Sequence, residues 1–93
     1  MNDSEIKKVA AKILRKHLSA HGFEGVDVKS EDEFDGSPVI RIRARYKDER
    51  MPTKAITQSL HDIRSKLIAL GEDRFVLLEG ELLGREQIDE DVA

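Results

Sequence analysis

The stretch Ser37-Pro-Val-Ile-Arg-Ile-Arg-Ala-Arg-Tyr-Lys47 decides the fold that this sequence predicts. Apolar and basic side chains alternate along it, which is the period-two pattern of a strand with one buried and one open face. The apolar face consists of Ile40, Ile42, Ala44 and Tyr46. The other face carries four cations, called the basic row below: Arg41, Arg43, Arg45 and Lys47.

The residues before this strand predict its hairpin partner. Residues 26–33 alternate in the same way, and Asp35-Gly36 is a hairpin turn signal. A two-residue loop would set Val28 opposite Arg43, so that apolar residues would face cations across the whole hairpin. A three-residue loop sets Val28 opposite Ile42, and a five-residue loop keeps the same faces. The pattern therefore predicts an odd loop length and leaves three and five open.

Two amphipathic helices flank the hairpin. Residues 2–21 are predicted to form a helix with one apolar stripe. Asn2 and Glu5 form a capping box at its start, and Gly22 ends it. The stripe consists of Ile6, Val9, Ala10, Ile13, Leu14, His17, Leu18 and His21. The opposite face is basic and is predicted to be solvated: Lys7, Lys8, Lys12, Arg15 and Lys16.

The second helix is predicted over residues 53–70. Either Thr53 caps it or Pro52 opens its first turn, and Gly71 ends it. Its predicted buried stripe consists of Ile56, Leu60, Ile63, Leu67 and Leu70.

A third strand over residues 74–83 completes the fold. Its first half, Phe75-Val-Leu-Leu78, is apolar on both faces, so we expect a second layer or a partner to cover each face. The crossover rule makes this strand parallel to the second if they share a sheet, but leaves open which strand it adjoins. The predicted fold is a two-layer α+β sandwich, ordered α-β-β-α-β. Both helices pack on one face of a small, mostly antiparallel three-stranded sheet. Residues 1–83 form one domain, and residues 84–93 form an acidic tail predicted to be disordered.

Composition excludes several classes of protein. The 93 residues include no cysteine, which removes disulfides and thiolate chemistry. No apolar run approaches the roughly 18 residues of a membrane span, and the N-terminus does not resemble a signal peptide. The formal net charge is −3, whereas nucleic-acid-binding domains are usually basic. We therefore expect a soluble bacterial, cytoplasmic protein without a cofactor.

The catalytic and metal-binding signals are weak. His17 and His21 lie four residues apart, a spacing that suits two ligands of one zinc ion, but only Glu24 offers a nearby third ligand. The sequence therefore predicts no metal site, with these histidines as weak candidates. Ser59 and His61 cannot form a relay because residues two apart on a helix point away from each other. We expect no catalytic residues and no enzyme activity.

The order of elements from Phe23 to Leu83 resembles the KH-like domain of the ribosome-binding factor A family. The segment Leu60-His-Asp-Ile-Arg-Ser-Lys-Leu67, ahead of the last strand, carries the resemblance in residues. The resemblance implies an alternative function, an RNA- or ribosome-associated module that uses Arg41, Arg43, Arg45 and the lysines of the first helix.

The leading prediction is a small non-catalytic binding or regulatory module, such as one partner of a two-gene, toxin–antitoxin-like system. We expect a protein partner or a second copy to contact the third strand, through Phe75 and Leu77 or through Val76 and Leu78. Nucleic acid is the less favoured partner, and we expect no contact with a membrane. The basic row is expected mainly to pair with carboxylates on its neighbours: Asp27, Glu31, Glu79 and Glu81.

Overall fold

A computed structural model describes residues 1–47 and 53–83. It contains the helices α1, Asp3–Leu18, and α2, Thr53–Ala69, and the strands β1, Gly25–Asp32, β2, Pro38–Tyr46, and β3, Phe75–Leu82. The predicted α-β-β-α-β order and the two-layer α+β fold are confirmed. The predicted break at Pro52 and the predicted disordered tail, residues 84–93, lie outside the described residues.

The sheet has the strand order β1-β2-β3. β1 pairs with β2 in antiparallel fashion and β2 pairs with β3 in parallel, so the sheet is mixed and β2 is its central strand. α1 packs mainly on β1 and α2 on β3, and the two helices contact each other. This arrangement covers one face of the sheet with helices and leaves the basic row on the other.

The hairpin between β1 and β2 has the three-residue loop. Glu33 N–H donates to the carbonyl of Ser37, and Gly36 N–H donates to the carbonyl of Glu33. Gly36 has φ 89°, the left-handed conformation that glycine adopts without steric cost. Val28 pairs with Ile42 as predicted, so apolar residues of both strands share the helix-covered face.

The core lies between the helices and the covered face of the sheet. α1 contributes Ile6, Ala10, Leu14 and Leu18, and the sheet contributes Val26, Ile40, Ile42, Ala44 and Val76. α2 contributes Ile63 and Leu67, together with a buried Ser59. The predicted stripe was wrong at Leu70, which is 49% exposed, because α2 ends at Ala69 and a turn with Gly71 in the left-handed conformation follows.

Local signals fix both ends of α1. The capping box is confirmed, since Asn2 Oδ1 accepts the N–H of Glu5 at 2.8 Å and Glu5 Oε1 accepts the N–H of Asn2 at 2.9 Å. After a 3₁₀ turn, Ser19–His21, Gly22 takes φ 72° and Phe23 N–H returns to the carbonyl of Leu18. Across the described ranges, neither helix is long and apolar enough to cross a membrane.

Candidate functional site

Carboxylates surround the basic row on the open face of the sheet. Arg41 Nε lies 3.0 Å from Glu31 on β1, and its Nη1 lies 2.5 Å from Glu79 on β3. Arg43 Nη2 lies 3.9 Å from the second oxygen of Glu79. Arg45 pairs with Asp27. Every arginine of the row therefore has an acidic partner, as charge pairing across strands predicts.

These pairs run diagonally rather than straight across the hairpin. In the backbone register Asp27 faces Arg43 and Glu31 faces Val39, yet their carboxylates reach Arg45 and Arg41, each two residues further along β2. Long side chains on one sheet face bridge such diagonal distances. Lys47, at the end of the row, lies 3.4 Å from Glu24.

The paired face offers little net positive charge. Hydrogen bonds from Arg41 lower the pKa of Glu79, and the hydrogen bond with Glu79 raises the pKa of Arg41 above its ordinary value. Both shifts keep the two groups charged and attached to each other. An incoming phosphate would have to displace carboxylates that the arginines already hold.

The register of β3 decides which of its two apolar faces is open. Val76 is buried and Leu78 packs against the core, so both face the helices. Phe75 and Leu77 pair with Val39 and Arg41 of β2 and therefore lie on the open face. Of the two predicted contact pairs, Phe75 and Leu77 are the one on the open face, where Phe75 is exposed and Leu77 is half-buried.

Exposed apolar side chains gather where α2 ends and β3 begins. Ile68 is 69% exposed and Phe75 54%, both line one cleft, and we call these two residues the edge patch. β3 is an edge strand of the sheet, so the patch adjoins a free edge. Large exposed apolar side chains that cluster in this way are typical of interaction surfaces.

A cleft with a volume of about 240 Å³ opens in the edge patch. Its apolar walls are Leu67, Ile68, Phe75 and Val76, and its polar rim is Arg64, Glu72, Asp73 and Arg74. Pockets for small molecules usually measure about 300–1,000 Å³ and bury most of the ligand. This smaller, open cleft fits a single protruding side chain of a protein better than a free ligand.

Arg64 on α2 covers part of the free edge of β3. Its Nη2 donates to the carbonyl of Val76 at 2.7 Å, and its guanidinium carbon lies 4.7 Å from the centre of the Phe75 ring. The first contact occupies a backbone acceptor that another strand would need for pairing. The second is a cation–π contact that holds the Phe75 ring at the surface.

A buried ion pair supports the turn that carries the edge patch. The Glu72 side chain is only 6% exposed, and its two oxygens accept hydrogen bonds from Arg74 Nε at 2.9 Å and Nη2 at 3.0 Å. These bonds lower the pKa of Glu72 from 4.5 to about 2 against the opposing effect of burial. Arg74 also donates to Ser30 Oγ and to the carbonyl of Met1, which ties the turn to β1 and the N-terminus.

The histidines form a link between helices. His17 Nε2 lies 2.7 Å from Asp62 Oδ2, so α1 and α2 are joined by a polar contact at the margin of the core. His21 lies beyond the end of α1, in the 3₁₀ turn. Within residues 1–47 and 53–83, no three histidine or acidic residues are placed to hold a metal ion.

Three features of this site were not predicted from the sequence. They are the His17–Asp62 contact, the Glu72–Arg74 pair and the Arg64–Phe75 stack. The first and third depend on how each helix is rotated about its axis, which apolar spacing fixes only coarsely. Glu72 and Arg74 stand two residues apart after a helix-ending glycine, and that spacing was the one available signal.

No protein-family model, curated protein or solved structure matches this chain. Function is therefore inferred from its residues and their geometry alone.

Proposed function

We propose that the protein is a small non-catalytic binding module that docks another protein on the edge patch. The observation that carries the proposal is that the exposed side chains of Ile68 and Phe75 lie beside an edge strand and line a cleft sized for one side chain. The partner's contribution is an apolar anchor that enters the cleft, with polar groups that meet its charged rim. Such a central anchor surrounded by a polar rim is the usual anatomy of a protein interface.

The position of Arg64 favours docking through side chains over strand addition. A partner strand on β3 would need the carbonyl of Val76, which Arg64 already holds at 2.7 Å. The rim carries both signs of charge, positive from Arg64 and Arg74 and negative from Glu72 and Asp73. A rim of this kind orients a partner without repelling it and suits one member of a two-protein system.

The pairing of the basic row argues against the part of the RNA-binding alternative that uses Arg41, Arg43 and Arg45. The lysines of α1, which that alternative also uses, have no carboxylate partner among the described residues. Phosphate binding relies on unpaired cations, and stacking on single-stranded bases relies on aromatic side chains. On the open face, Arg41, Arg43 and Arg45 are held by carboxylates, and the one aromatic ring, Phe75, is stacked against Arg64.

Affinity capture from the native host tests the proposal with a matched pair of variants. Ile68→Ser removes the most exposed apolar side chain of the edge patch, whereas Phe34→Ser removes a fully exposed aromatic ring at the hairpin tip. We expect native protein and F34S to capture the same partner and I68S to lose at least 90% of it, which corresponds to about 1.4 kcal/mol. Both variants should unfold at the same urea concentration as the native chain.

Two results would contradict the proposal. The first is equal capture of the same partner by I68S and by the native protein. The second is RNA binding that is weakened by Arg43→Gln and unchanged by I68S, since it would assign function to the basic row. Light scattering at about 0.5 mM separates a second copy from a different protein, because self-association depends on concentration.

A further inference from the structure

A groove with a volume of about 470 Å³ runs over α1 and the last turns of α2, away from the edge patch and from the basic row. Lys8, Lys12 and Lys16 lie along α1 at spacings of four, and Lys66 faces them from α2. Val9 and Ile13 are half-buried and also line the groove. The groove thus combines an apolar floor with four basic side chains.

These lysines differ from the basic row in their contacts. Within the part of the chain that the structure describes, none of the four forms an ion pair or a hydrogen bond. The arginines of the basic row are held by carboxylates instead. Unpaired positive charge on the described surface is therefore concentrated on the helix layer, where the lysine groove offers an acidic segment a place to bind.

We propose that this lysine groove binds the acidic C-terminal segment of the same chain, residues 84–93. The segment reads Gly-Arg-Glu-Gln-Ile-Asp-Glu-Asp-Val-Ala and lies outside the described residues. Its four carboxylates, Glu86, Asp89, Glu90 and Asp91, complement the four lysines of the groove. Ile88 and Val92 are four residues apart, as are Val9 and Ile13, and residues four apart share a side in both helical and extended chains.

The covalent connection permits this contact. Leu83 N–H donates to the carbonyl of Tyr46, and Lys47 N–H donates to the carbonyl of Gly22, so Leu83, the residue before the segment, lies close to the end of α1. Following these bonds and then α1 back to Lys12 gives a path of about 30 Å, and Lys8 lies one helical turn further. The ten residues of the segment span at most about 33 Å when extended. Such a short tether gives an effective concentration in the millimolar range, so a weak contact suffices.

Methyl NMR of the full chain tests the contact with two matched variants. Asp89→Asn with Glu90→Gln neutralises a dipeptide of the segment, and Asp32→Asn with Glu33→Gln neutralises the same dipeptide at the exposed hairpin end. We expect the first pair to shift the methyl resonances of Val9 and Ile13 and the second pair to leave them in place. Raising salt from about 50 to 500 mM should move the native resonances in the same direction as the first pair.

A synthetic peptide of residues 84–93 gives the second readout. We expect it to bind the D89N/E90Q chain about tenfold more tightly than the native chain, whose own segment competes for the groove. Three results would overturn the proposal. They are unchanged Val9 and Ile13 resonances in D89N/E90Q, equal peptide affinity for both chains, and resonance positions that vary with protein concentration. The last would assign the bound segment to another molecule.

Discussion

Replacing Glu72 by Gln should reveal how much the buried ion pair stabilises the turn between α2 and β3. In the native chain, Arg74 holds the pKa of Glu72 at about 2, compared with 4.5 in an ordinary environment. That difference corresponds to about 3 kcal/mol. The Arg74 side chain is 22% exposed, so solvent screening weakens its attraction for Glu72. We therefore expect E72Q to lower the free energy of unfolding by about 2 kcal/mol at pH 7.

The pH dependence gives the prediction a definite sign. The pKa of Glu72 is lower in the folded chain than in the unfolded chain, so its stabilisation is complete above the unfolded value of 4.5. It is lost as the pH falls through about 2, where the folded chain also takes up the proton. The difference between native protein and E72Q should therefore shrink by roughly 40% at pH 3.5 and by roughly three-quarters at pH 2.5.

Urea denaturation followed by far-ultraviolet circular dichroism measures this difference at pH 7, 3.5 and 2.5. Glu33→Gln is the control, because Glu33 is exposed at the hairpin tip. Its effect at pH 7 should stay within about 0.5 kcal/mol. A difference between native protein and E72Q that remains constant from pH 7 to 2.5 would refute the reasoning, since the stabilisation would then not arise from the charged carboxylate.

Two further substitutions test the packing under the sheet. Gly80→Val should lower the free energy of unfolding in urea by about 1–3 kcal/mol. Even a Cβ at Gly80 would lie 3.0 Å from the Tyr46 ring and 3.1 Å from Ile56. Native-like stability of this variant would show that both neighbours move aside without cost. Ser59→Ala should change the unfolding free energy by less than about 1 kcal/mol although Ser59 is fully buried, because the Ser59 hydroxyl donates only to the carbonyl of Ala55 in its own helix. A loss above about 2 kcal/mol would contradict that account.

The hairpin was predictable because the alternation of apolar residues on its two strands requires an odd number of residues in the loop. Alternation places Val28 and Ile42 on one face only if the loop is odd, and the structure has the three-residue loop. The same alternation predicted that the arginines would find acidic partners on β1 and β3, and Asp27, Glu31 and Glu79 fill that role. Both results depend on local periodicity, which a single sequence contains in full.

Long-range placement was less accessible from sequence. The crossover rule gave the direction of β3 but not its neighbour, and only the structure places β3 beside β2. Burial on α2 follows Ser59, Ile63 and Leu67, because the satisfied hydroxyl of Ser59 allows a polar residue to occupy the core side. For the site, the sequence identified Phe75 and Leu77 as candidates, whereas Arg64 and Glu72 take part through contacts that no local pattern encodes.

The alternation of β2 also limits where the chain could change in length. Adding one residue within β2, between Ile40 and Arg41, would turn every later side chain of the strand to the opposite face, so that Ile42 would meet solvent and Arg43 the core. Adding one or two residues between Glu33 and Ser37 lengthens the loop to about four or five residues, and hairpins of that kind keep the same strand register. Insertions at this tip, whether from natural variation or from an engineered epitope, should therefore be tolerated, whereas single insertions within β2 should be eliminated.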